Sequence, residues 1–342
     1  MDYVWGVDMG GTNVRVAKVD PTADDALSLV GEVVTKEMKD INSNEELADF
    51  VEGIIGKKKA SVGICSAGDV DEENLVVRLS PNSPNFERIE LGDLLRKAGH
   101  DVVLTNDMRA AVSAEAINQD KKHGRKDVLV ATYSSGYNCA VARERTLVTT
   151  AEFGHQKYNA EFSDDDPYAP VCGCGNVNCL EIFVSGNGAV KLAKIRLKKM
   201  AEEGTDIRTT VTLQEVFAET VTAGIEEALD KMTAKHIYRA FTKDPLGEPQ
   251  HYVARVQRRA IAHSFGAMLS AYNPLDVMVL MGSQTKDWKN LFEPAMQRFN
   301  EGGFNLPSLK KPEIVKTELP EIGIQGAVAY YLSAERKIPY RQ

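Results

Sequence analysis

The chain is predicted to be an α/β protein of two related halves facing one another, and three observations predict it. A strand, a glycine-bearing turn and a returning strand occur at the N-terminus and again from residue 127. Further short apolar strands alternate with helical patterns, the arrangement of sheets covered by helices. The length of 342 residues, 43% of them hydrophobic, is enough for about two domains with packed interiors.

Residues 3–8 read as an apolar strand, Gly10-Gly11 as a turn and residues 14–19 as an alternating strand returning beside it, with Asp8 at the turn. Leu47, Phe50, Val51, Ile54 and Ile55 recur at helical spacing within 44–55, and a buried strand follows at 60–65. Lys57, Lys58 and Lys59 lie just past that helix, where positive charge complements its dipole; a phosphate site is the alternative. Residues 74–79 read as a strand, 80–85 as a turn, 90–99 as a helix and 101–105 as a strand. Asn106-Asp107 then precedes a helix over 108–119. This strand-to-helix junction is a typical ligand position in α/β folds, although one of the pair could simply cap the helix. The second set comprises a strand at 127–133, the loop Ser134-Ser135-Gly136-Tyr137-Asn138, and strands at 139–143 and 147–150. Helices follow at 180–203, 213–231 and 252–272, then an apolar strand at 277–281 ending in Gly282-Ser283, and a closing helix at 323–336. Residues 203–205 and 241–249 read as mobile connections.

A net charge of -8 argues against nucleic-acid or anionic-membrane partners. The N-terminus lacks a basic region followed by an apolar one, and no run of apolar residues is long enough to span a bilayer, so a cytoplasmic protein is expected.

The most informative stretch is His155 followed by Cys172-Gly173-Cys174 and Cys179-Leu180-Glu181. Three cysteines and one histidine are what a closed tetrahedral zinc site requires. The spacing suits a disulfide ladder poorly, because only Cys65 and Cys139 remain as outside partners; a cysteine-rich turn without a ligand is the alternative. Reduced thiols beside a metal suit the cytoplasm. Asp8-Met9-Gly10-Gly11-Thr12 places a carboxylate, two glycines open to close anion approach and a hydroxyl donor at a strand end. It matches neither a Walker loop nor a dinucleotide fingerprint, and alone it could be a plain hairpin turn. Ser134-Ser135-Gly136 offers a second loop to hold the other side of a polyphosphate.

Taken in order, these motifs resemble those of the ROK family of sugar kinases and sugar-responsive repressors, within the actin-like, hexokinase-like ATPase fold. Asp8-x-Gly10-Gly11-Thr12 resembles the family's first phosphate motif, and Gly63-Ile64-Cys65-Ser66-Ala67-Gly68 with Ser80-Pro81-Asn82 its sugar-binding segment. Asn106-Asp107 resembles its catalytic pair. Glu152-Phe153-Gly154-His155 with Cys172, Cys174, Cys179 and Glu181 resembles its sugar-and-zinc signature, the most specific of the set. The resemblance implies two ribonuclease-H-like domains around a central cleft, the smaller built from 1–120 with 320–342 and the larger, carrying the zinc loop, from 121–319. It implies ATP-dependent phosphorylation of a hexose or hexose-like hydroxyl, with Asp107 as general base. Gly68, Asn82, Asn106, Asp107, Glu152, His155 and Glu181 would bind the sugar. Asp8, Gly10, Gly11, Thr12, Ser135, Gly136 and Gly282 would bind nucleotide with Mg²⁺, Asp8 acting at the metal through water. His155, Cys172, Cys174 and Cys179 would hold a structural Zn²⁺ with no open position. Sugar and nucleotide are the expected partners, and a homodimer the expected assembly.

The chain also departs from the family pattern. Ser134 to Cys139 carries side chains where the second phosphate motif is usually glycine-rich, and Met281-Gly282-Ser283-Gln284 stands where a triple glycine is usual. Sixteen residues separate His155 from Cys172, among them Asp164-Asp165-Asp166, an insertion beside the expected sugar site. Ala151 replaces a glycine before Glu152. The alternatives are a non-catalytic sugar sensor, or a kinase using another phosphoryl donor or a cyclitol or amino-sugar substrate. A DNA-binding regulator needs a helix-turn-helix module ahead of the first phosphate motif, which here begins at Asp8.

Overall fold

Val4–Met9 (β1) is buried along its whole length, as a strand covered on both faces must be. In the computed structural model, which describes residues 3–22, 27–80, 85–220, 224–302 and 310–335, this strand is central to a five-stranded sheet. Asn13–Asp20 (β2) returns antiparallel beside it with Arg15 opposite Asp8, and Ser28–Glu37 (β3) forms the edge. After helix α1 (Asn44–Ile55), Ser61–Ser66 (β4) pairs parallel with β1. A small hairpin follows, Asp69–Asp71 (β5) with Val76–Leu79 (β6), then α2 (Leu91–Lys97) and the parallel strand Asp101–Asn106 (β7). The sheet order is β3-β2-β1-β4-β7. Ser43 starts α1 by accepting the Glu46 N–H at 3.1 Å, and Leu47, Val51 and Ile55 then pack with Val7, Val16 and Val62 of the sheet.

Asp107–His123 (α3) leads to the second sheet. Asp127–Tyr133 (β8), Tyr137–Arg143 (β9) and Thr146–Ala151 (β10) form an antiparallel meander. Val277–Met281 (β11) and Glu313–Lys316 (β12) add in parallel on the far side of β8, giving the order β10-β9-β8-β11-β12. The plan of the first sheet is repeated strand for strand. Between β10 and β11 come α4 (Leu180–Val184), α5 (Gly186–Glu202), α6 (Val211–Glu219), α7 (Ile225–Lys231), α8 (Ala234–Lys243) and α9 (Gln250–Tyr272). Helix α10 (Trp288–Glu301) lies between β11 and β12, and α11 (Ile322–Glu335) follows β12.

Helix α3 is apolar on more than one side because it is buried between the two sheets. Met108, Ala111, Val112 and Ala116 pack among Val128, Val130, Ala140 and Val279, while Ala110 packs with Cys65 and Ala327, and Ala114 with Val4 and Val328. Helix α11 lies against β4 so closely that a Cβ at Gly63 would sit 2.2 Å from the Ala327 carbonyl oxygen. Every parallel strand therefore points its carboxyl end at the same region. β1 delivers Gly10-Gly11, β4 Gly68, β7 Asn106-Asp107, β8 Ser134 to Gly136, and β11 Gly282.

Several expected elements are corrected by the structure. The helix over 180–203 is two helices, because Ser185 is extended and its hydroxyl caps α5 by accepting the Gly188 N–H at 3.0 Å. The helix over 213–231 is likewise α6 and α7, with 221–223 outside the described residues. Residues 241–243 of the expected connection complete α8. Strand β3 escaped notice because, at the sheet edge, it is mostly exposed and lacks a two-residue alternation, and α10 because Pro294 interrupts its pattern. No helix among the described residues is long and apolar enough to cross a membrane.

Candidate active site

A cleft of about 710 Å³ opens where the strand ends of the two sheets meet. Gly10, Gly11, Gly68, Asn106, Asp107, Ser135, Gly136, Glu152 and Glu181, all expected at the site from sequence, line it together. Asp8, Thr12, His155 and Gly282 do not line it, and Asn82 lies outside the described residues.

Asp107 owes its position to the end of β7. Asn106 is extended and caps α3, its side-chain oxygen accepting the Met108 N–H at 2.9 Å, so the next residue is the first of the helix and faces the cleft. One residue of the pair thus caps the helix while the other presents a carboxylate to the cleft. Burial first, and the Asp8 carboxylate second, raise the Asp107 carboxyl from its ordinary 3.8 to about 6; Glu152 adds to this, and the Met108 N–H opposes it. Asp8 is buried behind the loop, held by an ion pair with Arg15 and by the Cys65 thiol at 3.5 Å. Gly68 has φ +106 and a Cβ there would lie 2.1 Å from the Leu79 carbonyl, so this turn beside Asn106 requires glycine.

The loop after β8 shows why its non-glycine residues leave room for a ligand. Tyr137 turns into the core, where its ring lies 4.9 Å from that of Tyr133. The Asn138 side chain accepts the Phe153 N–H at 3.3 Å and donates to Glu152 at 3.4 Å, fixing the turn that presents Glu152. Ser134, Ser135 and Gly136 remain at the cleft. The Ser134 carbonyl accepts two bonds from its far side, the Gly186 N–H at 2.7 Å and the Gln284 amide at 3.2 Å. Gly186 and Gln284 belong to a second cavity of about 530 Å³, lined also by Ala234, Tyr238, Ser283 and Asp287, with Lys235, Arg239 and Lys286 around it. Ser134 is thus the partition between two cavities.

His155, Cys172, Cys174 and Cys179 form one cluster whose ligand atoms lie within 4.8 Å of one another. Cys174 and Cys179 sulfurs are 3.6 Å apart, and the Cys172 sulfur is 3.7 Å from His155 Nδ1. A tetrahedral ion bonded at about 2.3 Å to sulfur sets such edges at about 3.7 Å, so the donor set fits Zn²⁺ in type and spacing. The Asn176 backbone N–H holds the Cys174 thiol down to about 7, whereas burial raises those of Cys172 and Cys179. Glu181 joins this cluster to the cleft. It stands in the first turn of α4 two residues past Cys179, accepts the Tyr137 N–H at 3.2 Å and lies 3.8 Å from the Cys172 sulfur. The acidic insertion does not reach the cleft. Asp164 pairs with Lys157 and accepts from Asn178 at 3.2 Å, and Tyr168 bonds Glu202 on α5.

A profile of the ROK family matches residues 4–331. The chain belongs to the ROK family. A glucokinase of Thermotoga maritima is 24% identical over 335 residues, covering 95% of both chains. An N-acetylmannosamine kinase of Salmonella paratyphi B is 29% identical over 197 residues, covering 55% of this chain and 63% of the relative. Among solved structures, a ROK-family glucokinase from Streptomyces griseus in complex with glucose and AMPPNP superposes with a TM-score of 0.68 at 21% identity, covering 95% of this chain and 97% of that one. The two-sheet fold around a cleft is thus that of the ROK family. Within it, this ROK protein adds contacts that no local motif announces. Glu72, after β5, lines the cleft and accepts from Thr105, Arg109 and Tyr330, each at 2.7 Å. Arg15 binds Asp8 and Glu321 together. For Arg15 the available signal was a charged residue between the buried Val14 and Val16 of β2; for Glu72 it was the acidic run after Gly68.

Proposed function

We propose that the cleft transfers a phosphoryl group from ATP to a hydroxyl of a hexose or hexose-like sugar, with Asp107 as general base. The chain is a carbohydrate kinase, by its family and by relatives named for glucose and N-acetylmannosamine phosphorylation. The observation that carries the finer reading is Asp107 itself. Its carboxyl, raised to about 6, stands in one cleft with the Gly10-Gly11 and Ser134 to Gly136 loops. A base with that proton affinity is ionised at neutral pH yet strong enough to accept a proton as the hydroxyl attacks.

The second cavity takes the nucleoside, and the phosphates run past Ser134 so that Gly10, Gly11, Ser135 and Gly136 meet the transferring group, with Thr12 next on the first of these loops. Gly282 opens the turn whose next two residues, Ser283 and Gln284, line that cavity, and is assigned to the nucleotide on that ground. Mg²⁺ bound with the nucleotide would supply charge neutralisation at the phosphates, with Asp8 acting on it through water. Asn106, Glu152 and Glu181, with Gly68, bind the sugar hydroxyls from the cleft, and His155 and Asn82 are assigned to the sugar by the family resemblance alone. A structural Zn²⁺ at His155, Cys172, Cys174 and Cys179 fixes the loop that carries Glu181.

The test is nucleotide turnover by purified protein with Mg²⁺ and ATP, across glucose, mannose, fructose, N-acetylated hexosamines and inositols. Turnover with one of these that vanishes in Asp107→Asn is expected. Absence of turnover with all of them, while a sugar still raises the melting temperature, would replace the kinase mechanism with sugar sensing or another donor.

A further inference from the structure

A groove of about 640 Å³ lies between α9 and α10, with His251, Arg255, Arg258 and Arg259 on one wall and Arg298 and Glu301 on the other. The α9 residues recur at a helical interval, so one stripe of that helix faces the seam. Four guanidiniums thus gather in a protein of net charge -8. Among the described residues, Arg259 alone of the four has an ion-pair partner, Glu161 at 2.6 Å. Arg255 and Arg298 are exposed at the groove. Arg258 is half-buried, lies 5.0 Å from the centroid of the Phe241 ring, and donates from Nε only to the Asn290 carbonyl, at 2.6 Å. Holding a guanidinium in the seam without an anion in bonding range is unfavourable, and its burial lowers its proton affinity accordingly. Asp287, the N-cap of α10, acts on Arg258 only through space, and Glu301 is the one carboxylate lining the groove, so its four guanidiniums carry a surplus of positive charge that an external anion can meet.

We propose that this groove binds a small phosphate-bearing anion and that its occupancy is read by the second cavity. Guanidinium forks match phosphate oxygens in geometry, and the groove is larger than a monatomic ion needs. The connection is short. Arg258 bonds Asn290, the Asn290 amide donates to Asp287 Oδ1 at 2.7 Å, and Asp287 lines the second cavity with its Oδ2 buried and unbonded. An anion that draws Arg258 toward the groove loosens its hold on Asn290 and weakens the compensation of the Asp287 charge beside the nucleoside seat.

Pyrophosphate titrated calorimetrically into the native chain and into Arg255→Ala/Arg298→Ala tests the site. Both side chains are exposed and lie outside the catalytic machinery, so the double variant keeps its melting temperature and kcat. Its pyrophosphate affinity is expected to fall at least ten-fold, and Arg298→Glu alone should fall further than Arg298→Ala. Equal affinity in native and double variant, or no binding to the native chain, overturns the proposal. Glucose 6-phosphate titrated in parallel separates a sugar ester from an inorganic anion as the source. In the native chain pyrophosphate should raise the nucleotide KM more than in the double variant; an equal rise in both overturns the coupling. That last measurement rests on the second cavity taking the nucleoside, whereas the titration does not, so failure of one is distinguishable from failure of the other.

Discussion

Asp107 carries a cost to the fold that its chemistry explains. Its carboxyl titrates at about 6 in the folded chain against an ordinary 3.8, so the folded state favours the protonated form. The stability it contributes is fully present below about 3.8 and is lost as pH rises through about 6. Asp107→Asn should therefore melt higher than the native chain at pH 8, by about 2–3 kcal/mol, and equally at pH 3.5. The same variant should lose about 10²–10⁴ in kcat. The native kcat/KM should fall on the acid side of about 6, because only the ionised carboxylate accepts a proton. A melting temperature lowered at pH 8, or a profile flat to pH 5, would remove Asp107 from this role. Tyr330→Phe, which takes one of three donors from Glu72, should cost about 1 kcal/mol in denaturant unfolding. Asp107 was legible because a strand end, an acidic residue and a helix start are contiguous in sequence. Glu72 with Tyr330 and Arg15 with Glu321 were not, since their partners lie 258 and 306 positions away.

Among the elements, the loop from His155 to Glu181 joins the cysteine-histidine cluster to the cleft. Removing zinc with a chelator should raise the sugar KM at least ten-fold while changing kcat less, because Glu181 loses its anchorage and Asp107 does not. Metal analysis should find one zinc per chain, and Cys179→Ser should reproduce the chelated state. The second cavity makes an independent prediction. Ala234→Phe fills it, and should raise the nucleotide KM more than ten-fold while the melting shift caused by sugar persists. The zinc loop could be read from sequence because its ligands are chemically distinctive and close together. Of this cavity only the turn after β11 was marked in sequence, through Gly282-Ser283-Gln284, because its other walls come from α5 and α8, where Gly186, Ala234 and Tyr238 carry no signature of their own. Helix breaks at Ser185 escaped for a similar reason, since a capping hydroxyl interrupts an apolar pattern without changing it.

At the scale of the molecule, the two sheets share a strand order that the halves do not share in residues. The repeat was visible in sequence only as two hairpins, because topology is preserved by burial patterns that many sequences satisfy. We propose that the chain divides into 1–120 with 320–342 and 121–319, an arrangement supported by α11 packing onto β1 and β4. Gly63→Ala should test how firmly that helix is seated. The added methyl would meet the Ala327 carbonyl, costing about 1–3 kcal/mol, and should leave zinc content unchanged. Helix α3 belongs to both halves at once, with one stripe on the second sheet and another against α11. Asp107, in its first turn, is therefore seated by packing from both halves at once, so on the proposed reading the proton acceptor's footing is shared between them and belongs to neither alone.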